Sequence, residues 1–190
     1  PKPSSAASDV YKRQGDSADA FVFISVGELN ENKNHSTVIR ALARTDIPNS
    51  YYLICGEGKL KQQHFELAQK LGISEKVKLL GFRTDVSEIL RACDCFVFPS
   101  FREGLSVSLM EAMAAGLPCI ISDSVPSECR VTDLAESLDL NLPIDEWADV
   151  VLEKQSTIRK NTIDDIKKSG FDVKQNVVKL EEFYLNSVEE

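Results

Sequence analysis

The sequence has 190 residues, of which 43% are hydrophobic and 27% charged, and its formal net charge is −8. This composition is typical of one globular domain. The acidic excess and the scattered lysines and arginines argue against a nucleic-acid-binding protein, which needs clustered positive charge. No apolar run approaches the roughly 20 residues that span a bilayer.

Residues 1–20 are polar and small, and they show neither helical nor strand periodicity. We therefore expect a disordered or non-native tail there. An ordered domain is predicted over residues 21–190.

Short apolar runs alternate with segments of helical spacing along this domain. The runs predict strands at 21–26, 51–55, 77–80, 95–99 and 118–122, with a weaker strand near 136–140. The spacing predicts helices at about 34–44, 58–71, 85–92, 106–115, 143–155, 161–169 and 172–187. Strands that are apolar on both faces and separated by helices indicate parallel pairing with both faces covered. The predicted fold is α/β, a Rossmann-like doubly wound parallel sheet.

The cysteines and histidines do not predict a metal site. The five cysteines are an odd number, and four lie in or beside apolar runs, as reduced, buried residues of a cytosolic protein do. The Cys93-Asp94-Cys95 segment lacks a second ligand pair at a suitable spacing. His35 and His64 are interpreted as surface or helix-face polar residues.

The segment after the predicted fourth strand carries two glutamates at a helix start. Residues 100–105 form a loop at the edge where such sheets bind ligands, and Ser106 or Ser108 can cap the following helix. Glu103 precedes the helix and Glu111 lies about one turn inside, so a carboxylate flanks each side of a potential phosphate site. This pattern suits a nucleotide sugar, whose hydroxyls lie on both sides of its diphosphate. The alternative is that Glu103 only stabilises the helix dipole and Glu111 is merely half-buried.

Several motifs, in this order, resemble the retaining GT-B glycosyltransferases of family 4 (GT4), also called glycosyltransferase group 1. They are VGELNENKN (26–34), CGEG (55–58), LLGFRTDVSEILRACDCFVFPS (79–100) and EGLSVSLMEAMAAGLP (103–118). The resemblance implies the C-terminal, donor-binding half of a GT-B fold, with the N-terminal domain missing from this chain. Among members of this family, bacterial exopolysaccharide and capsule transferases resemble these motifs most.

The implied activity is hexosyl transfer from a UDP- or GDP-sugar, with UDP favoured, to an acceptor hydroxyl in bacterial surface polysaccharide synthesis. The acceptor is expected to be lipid-linked or a saccharide, and the missing domain is expected to hold it, so the chain alone should be inactive. No metal and no cofactor are expected. The expected localisation is cytoplasmic, and peripheral association with the inner membrane face stays open.

The resemblance also implies residue roles. Glu103 would hold hydroxyls of the donor sugar, Lys33 would neutralise the diphosphate, and Glu111 would accept hydrogen bonds from the ribose. Further donor-binding positions are Gly27 after the first strand, the amides of Gly104, Leu105 and Ser106 at the diphosphate, and Phe82 and Arg83 in the loop that receives the base. For that last loop the alternative is that Phe82 packs internally and Arg83 pairs with Asp85.

One position departs from the family pattern, because Glu28 stands where these enzymes usually have arginine. Either Glu28 points away and Lys33 acts with the helix amides, or another cation supplements them. A non-catalytic association domain of the same fold therefore stays open, a 2-epimerase fits less well, and a flavodoxin-like regulatory domain fits poorly. The Gly56-x-Gly58 pattern predicts a tight backbone turn rather than a dinucleotide site.

The last predicted helix has an apolar stripe. Such a stripe ordinarily packs on its own domain. In the GT-B relatives this helix can cross to the other domain, which would leave part of the stripe exposed here.

Overall fold

The computed structural model describes residues 20–45 and 49–187. The predicted tail lies outside the described residues except for Ala20, which is buried at the start of the first strand.

The described chain contains a six-stranded parallel sheet with the order β3-β2-β1-β4-β5-β6. The strands are β1 (Phe21–Val26), β2 (Ser50–Cys55), β3 (Val77–Gly81), β4 (Cys95–Phe98), β5 (Cys119–Ser122) and β6 (Ala135–Leu138). All neighbouring strands pair in parallel. The order reverses direction between β1 and β4, and such a switch point opens a crevice beyond the carboxyl ends of the strands.

Helices cover both faces of the sheet. They are α1 (His35–Arg44), α2 (Lys61–Lys70), α3 (Val86–Ala92), α4 (Val107–Ala114), α5 (Ile144–Glu153), α6 (Ile163–Lys168) and α7 (Val173–Ser187). Short 3₁₀ turns lie at Ser127–Cys129, between β5 and β6, and at Lys154–Ser156, directly after α5. The predicted α/β doubly wound fold is confirmed, and each predicted strand and helix is present within a few residues of its expected bounds.

Two hydrophobic cores lie on opposite faces of the sheet, because side chains alternate along a strand. On one face Ile24 and Phe98 pack with buried residues of α3 and α4. On the other face Phe23 and Val97 pack with buried residues of α1 and α5. Burial on both faces explains why the central strands read as continuous apolar runs.

The expectation that the stripe of the last helix packs on its own domain is wrong. No residue of α7 is buried, and its large apolar side chains, including Val177, Leu180 and Tyr184, are more than half exposed. The exposure agrees with the other expectation, that part of the apolar stripe of this helix is exposed in this chain.

Candidate functional site

Lys33 and Glu103, the residues expected to act on the diphosphate and on the donor sugar, meet at the switch point. Lys33 lies in the loop after β1, and Glu103 lies in the loop after β4. The Nζ atom of Lys33 is 2.7 Å from Oε1 of Glu103, and the two side chains are 19% and 9% exposed. The structure therefore brings both residues to the predicted edge, but as partners of each other.

The Lys33 stem is held against the ends of the two central strands. Its ammonium lies 4.6 Å from the centroid of the Phe98 ring, within cation–π distance. A Cβ atom added at Gly27 would lie 3.0 Å from Cε of Lys33. The lysine thus crosses Gly27 closely, and glycine leaves room for it there.

Backbone hydrogen bonds tie the two loops together. The Phe101 amide donates to the carbonyl of Asn32 at 2.8 Å, and Nδ2 of Asn32 donates to the carbonyl of Arg102 at 2.8 Å. The loop that carries Lys33 and the loop that carries Glu103 therefore form one connected unit.

The start of α4 presents a row of backbone donors. Ser106 is the N-cap, as one of the two predicted possibilities, and its Oγ accepts a hydrogen bond from the Leu109 amide. Within the described residues, none of the backbone N–H groups from Arg102 to Ser108 has a protein acceptor. Amides at a helix start carry the positive end of its dipole, which favours an anion.

Gly104 lies in the middle of this row and has an open environment. A Cβ atom added there would meet no atom within 4 Å, and the backbone φ is not in the left-handed region. Leu105 beside it is 62% exposed. Neither internal packing nor backbone geometry requires glycine at 104, whereas close approach of a ligand to the backbone would.

Glu111 lies in the second turn of α4 and is exposed. Its carboxylate has no hydrogen-bond or ion-pair partner among the described residues. The alternative that Glu111 is half-buried is therefore wrong, and its assignment to the ribose stays a prediction.

In the loop after β3, the alternative stated for Arg83 is confirmed, whereas the alternative stated for Phe82 is not. Phe82 is 79% exposed, so its ring does not pack internally. Arg83 binds Asp85 through two hydrogen bonds, from Nε at 2.8 Å and from a terminal nitrogen at 2.6 Å. The guanidinium lowers the pKa of the Asp85 carboxyl. The ring is accessible for stacking, while the arginine already has a carboxylate partner.

Glu28 does not pair with Lys33. Its side chain is exposed, and Oε2 accepts a hydrogen bond from Nδ2 of Asn30 at 3.0 Å. The carboxylate that binds Lys33 is Glu103 instead. Lys33 is therefore not paired with Glu28, and its action together with the helix amides stays a prediction.

The carboxyl ends of β1 and β2 approach each other at glycines. A Cβ atom added at Gly56 would lie 1.9 Å from the Gly27 carbonyl oxygen, and one at Gly58 would lie 2.5 Å from the Leu29 oxygen. The Gly56-x-Gly58 pattern therefore serves close backbone packing next to the site.

Both histidines lie in helices but are buried, so the surface part of their interpretation as surface or helix-face polar residues is wrong. His35 and His64 are 1% and 3% exposed, and their rings meet edge to face with centroids 5.5 Å apart. Burial, with smaller effects from the charges of His64 and Lys33, lowers the pKa of His35 to about 3. Burial also lowers the pKa of His64. Both rings are therefore neutral at physiological pH.

A groove of about 620 Å³ lies beside the histidines, between α1 and α2 and next to Phe101. Its charged residues are Glu31, Arg40, Glu66 and Lys70, two of each sign. Their balanced charge makes this groove a poorer diphosphate site than the amide row.

The cysteines are free and buried, as predicted. Burial raises the pKa of Cys55, at the end of β2, to about 12, and raises those of Cys95 and Cys119 as well. These three thiols are therefore protonated and chemically inert at neutral pH. Among the described residues no cluster of three or more histidine, cysteine, aspartate or glutamate side chains could hold a metal ion.

The family model for glycosyl transferases group 1 matches residues 9–137. The chain belongs to this family. Among curated relatives, it is 32% identical to the Bacillus subtilis protein EpsF, over 98% of this chain and 50% of that protein. It is 30% identical to an Escherichia coli UDP-Gal:alpha-D-GlcNAc-diphosphoundecaprenol alpha-1,3-galactosyltransferase, over 90% of this chain and 46% of that protein. The chain therefore spans about half the length of these relatives.

Solved structures share the fold. Anabaena Alr3699/HepE in complex with UDP and glucose matches with a TM-score of 0.73 and 22% identity, over 98% of this chain and 53% of that chain. The C-terminal domain of the group 1 protein LpcC from Francisella tularensis matches with a TM-score of 0.69 and 18% identity, over 90% of this chain and 96% of that one. At these identities the likeness shows the fold alone. In the part of the chain that is described, no helix is long and apolar enough to cross a membrane.

Proposed function

We propose that this chain is the C-terminal, donor-binding half of a retaining GT-B glycosyltransferase of family 4. The whole enzyme moves a hexosyl group from a nucleotide sugar, with UDP favoured over GDP, to an acceptor hydroxyl in bacterial surface polysaccharide synthesis. The acceptor is lipid-linked or a saccharide, and the enzyme works in the cytoplasm or at the inner membrane face.

The row of amides from Arg102 to Ser108, which have no protein acceptor within residues 20–45 and 49–187, carries this proposal. It lies at the switch point of a parallel sheet, where ligands of this fold class bind. Neutral amide dipoles fixed by the fold can hold a diphosphate and stabilise the charge that the leaving diphosphate gains during transfer. The open backbone at Gly104 lets phosphate oxygens approach the amides closely.

The proposed roles at the two ends of the donor follow from position. Glu103 lies beside Lys33, on the central strands, and there it binds hydroxyls of the donor sugar. Glu111 lies one turn further along α4, exposed and unpartnered among the described residues, and it accepts hydrogen bonds from the ribose. On donor binding, Lys33 shares its ammonium between the Glu103 carboxylate and the diphosphate.

Calorimetric titration of the chain with UDP and with GDP tests the proposal. We expect binding of about −4 to −6 kcal/mol, which is roughly millimolar to tens of micromolar, because half of the cleft is absent. Glu111→Ala should remove most of this signal. Glu181→Ala, which changes an exposed glutamate in α7, is the matched control and should bind as the wild type does. A folded chain that gives no heat with either nucleotide would refute the donor-domain assignment.

A non-catalytic domain of the same fold is the second candidate, and Glu28 at the usual arginine position favours it. The two candidates differ in turnover. Joined to its N-terminal half, the proposed enzyme should transfer sugar from UDP-sugar in the presence of EDTA, since we propose that it needs no metal. The chain alone should bind nucleotide without transfer. Nucleotide binding without turnover in the joined protein would favour the second candidate.

A further inference from the structure

The carbonyl groups of the loop between β4 and α4 are anchored at alternate residues by side chains from the loops and strand on either side of β4. Oγ of Ser122, in β5, donates to the Ser100 carbonyl at 2.5 Å. Nδ2 of Asn32 donates to the Arg102 carbonyl at 2.8 Å. Sγ of Cys129, in the 3₁₀ turn after β5, donates to the Gly104 carbonyl oxygen at 3.3 Å.

These anchors come from three separate parts of the sheet edge. Ser122 and Cys129 are 0% and 1% exposed, so both are fixed by the packing around them. Asn32 also accepts the Phe101 amide through its own carbonyl. The loop is therefore held along its length by groups outside itself.

Anchoring a carbonyl also aims the next amide. A trans peptide is planar, and its C=O and N–H groups point in opposite directions; the described chain contains no cis peptide. When Asn32 holds the Arg102 carbonyl, the Glu103 N–H points away from Asn32. When Cys129 holds the Gly104 carbonyl, the Leu105 N–H points away from Cys129. Neither amide has a protein acceptor among the described residues.

We infer that Asn32 and Cys129 are positioning residues that aim the Glu103 and Leu105 amides at the diphosphate of the donor. The inference rests on the proposed function and deepens it. Donors that are oriented before the ligand arrives cost no reorganisation on binding or during the reaction. A thiol is a weak hydrogen-bond donor. The Cys129 thiol is nevertheless buried and holds the carbonyl of one peptide, so its loss frees that peptide to rotate.

The test compares UDP with uridine, because only UDP carries the diphosphate. Dissociation constants are measured from amide shifts in ¹⁵N-labelled chain. Cys129→Ala should weaken UDP binding threefold to tenfold and leave uridine binding within twofold of the wild type. Cys129→Ser restores a hydroxyl donor and should restore UDP binding.

Cys119→Ala is the matched control. The Cys119 thiol is equally buried and donates to the Leu117 carbonyl at 3.2 Å, away from the loop. This variant should bind UDP and uridine as the wild type does. Asn32→Ala is a second variant at a more accessible position, and it should lower UDP affinity selectively in the same way.

Each further outcome is decisive. If Cys129→Ala and Asn32→Ala bind UDP as tightly as the wild type, the positioning role is overturned while the donor site stands. The role is equally overturned if they weaken UDP and uridine by the same factor, because that pattern indicates a general structural loss. If the wild type binds neither ligand, the proposed function fails and this inference fails with it.

Discussion

Separating Lys33 from Glu103 should reveal how strongly the ion pair holds the two site loops together. The variants are Lys33→Met, which keeps an unbranched stem against Gly27, Glu103→Gln, which keeps the shape of the carboxylate, and the double variant. Each single change removes one charge and leaves the other in a pocket where the native side chains are only 19% and 9% exposed.

The burial of the ion pair determines how much free energy of unfolding each variant loses. Fully exposed ion pairs contribute about 0.2–1 kcal/mol, whereas breaking a buried pair costs about 3–5 kcal/mol. Lys33 and Glu103 lie between these limits, so each single variant should lose about 1.5–3 kcal/mol of the free energy of unfolding. The double variant should lose little more than either single variant, because it leaves no unpaired charge. The coupling energy, which is the sum of the two single losses minus the double loss, should be about 1–2.5 kcal/mol.

Urea unfolding of the four proteins, followed by circular dichroism, measures these free energies. Repeating the cycle in about 0.5 M NaCl should preserve most of the coupling, since a partly buried pair is screened less than a surface pair. Single effects that add to the double effect within about 0.5 kcal/mol would show that the two residues do not act as a pair.

Three further predictions concern the donor, acid and the glycines. Glu103→Gln removes the carboxylate that competes with phosphate for the ammonium, so calorimetry should show UDP binding at least as tightly, while the affinity that the sugar adds in a UDP-sugar should fall. Because burial lowers the pKa of His35 to about 3, the unfolded chain, with an ordinary pKa near 6.5, binds the proton first as pH falls below that value. His35 alone should therefore lower the free energy of unfolding by about 2 kcal/mol between pH 7.5 and pH 5, and His35→Leu should reduce this slope in urea titrations. Gly56→Ala places a Cβ atom 1.9 Å from the Gly27 oxygen and should cost more than about 3 kcal/mol, whereas Gly104→Ala should be neutral for stability and weaken UDP binding.

Contradictory results are equally specific for these three. If the Glu103 carboxylate does not compete with phosphate for the Lys33 ammonium, Glu103→Gln should bind UDP more weakly than the wild type. An unchanged acid slope in His35→Leu would assign the proton uptake elsewhere, with His64 as the remaining buried histidine. Equal destabilisation by the two glycine variants would contradict the close packing at Gly56 and the open space at Gly104.

Much of the fold follows from local sequence. The central strands are short apolar runs buried on both faces, and several runs end at glycine or proline, so their positions are predictable within a residue or two. Helix α4 is predictable from Ser106 at its start and from Gly116, whose φ of 72° stops the helix after its last turn. The location of Lys33 and Glu103 at one edge also follows, because parallel strands place their carboxyl ends together.

The interaction partners of these residues cannot be predicted from local sequence. Lys33 and Glu103 are 70 residues apart in sequence, and no local pattern specifies that their side chains meet. The same holds for Cys129 and the Gly104 carbonyl, which are 25 residues apart. By contrast, the burial of His35 had a local signal, because Val38, Ile39 and Leu42 follow it at helical spacing on the apolar face of α1.

The neutral character of the amide row resolves a difficulty that the net charge of −8 creates. In an acidic domain a lysine at the site attracts the protein's own carboxylates, and Lys33 binds Glu103. Backbone amides carry no net charge, so nearby carboxylates do not neutralise them, and the fold fixes their direction. An acidic chain can therefore keep an anion site ready if most of its donors are peptide groups and the single lysine is shared, which makes the orientation of the loop more important than the number of cations.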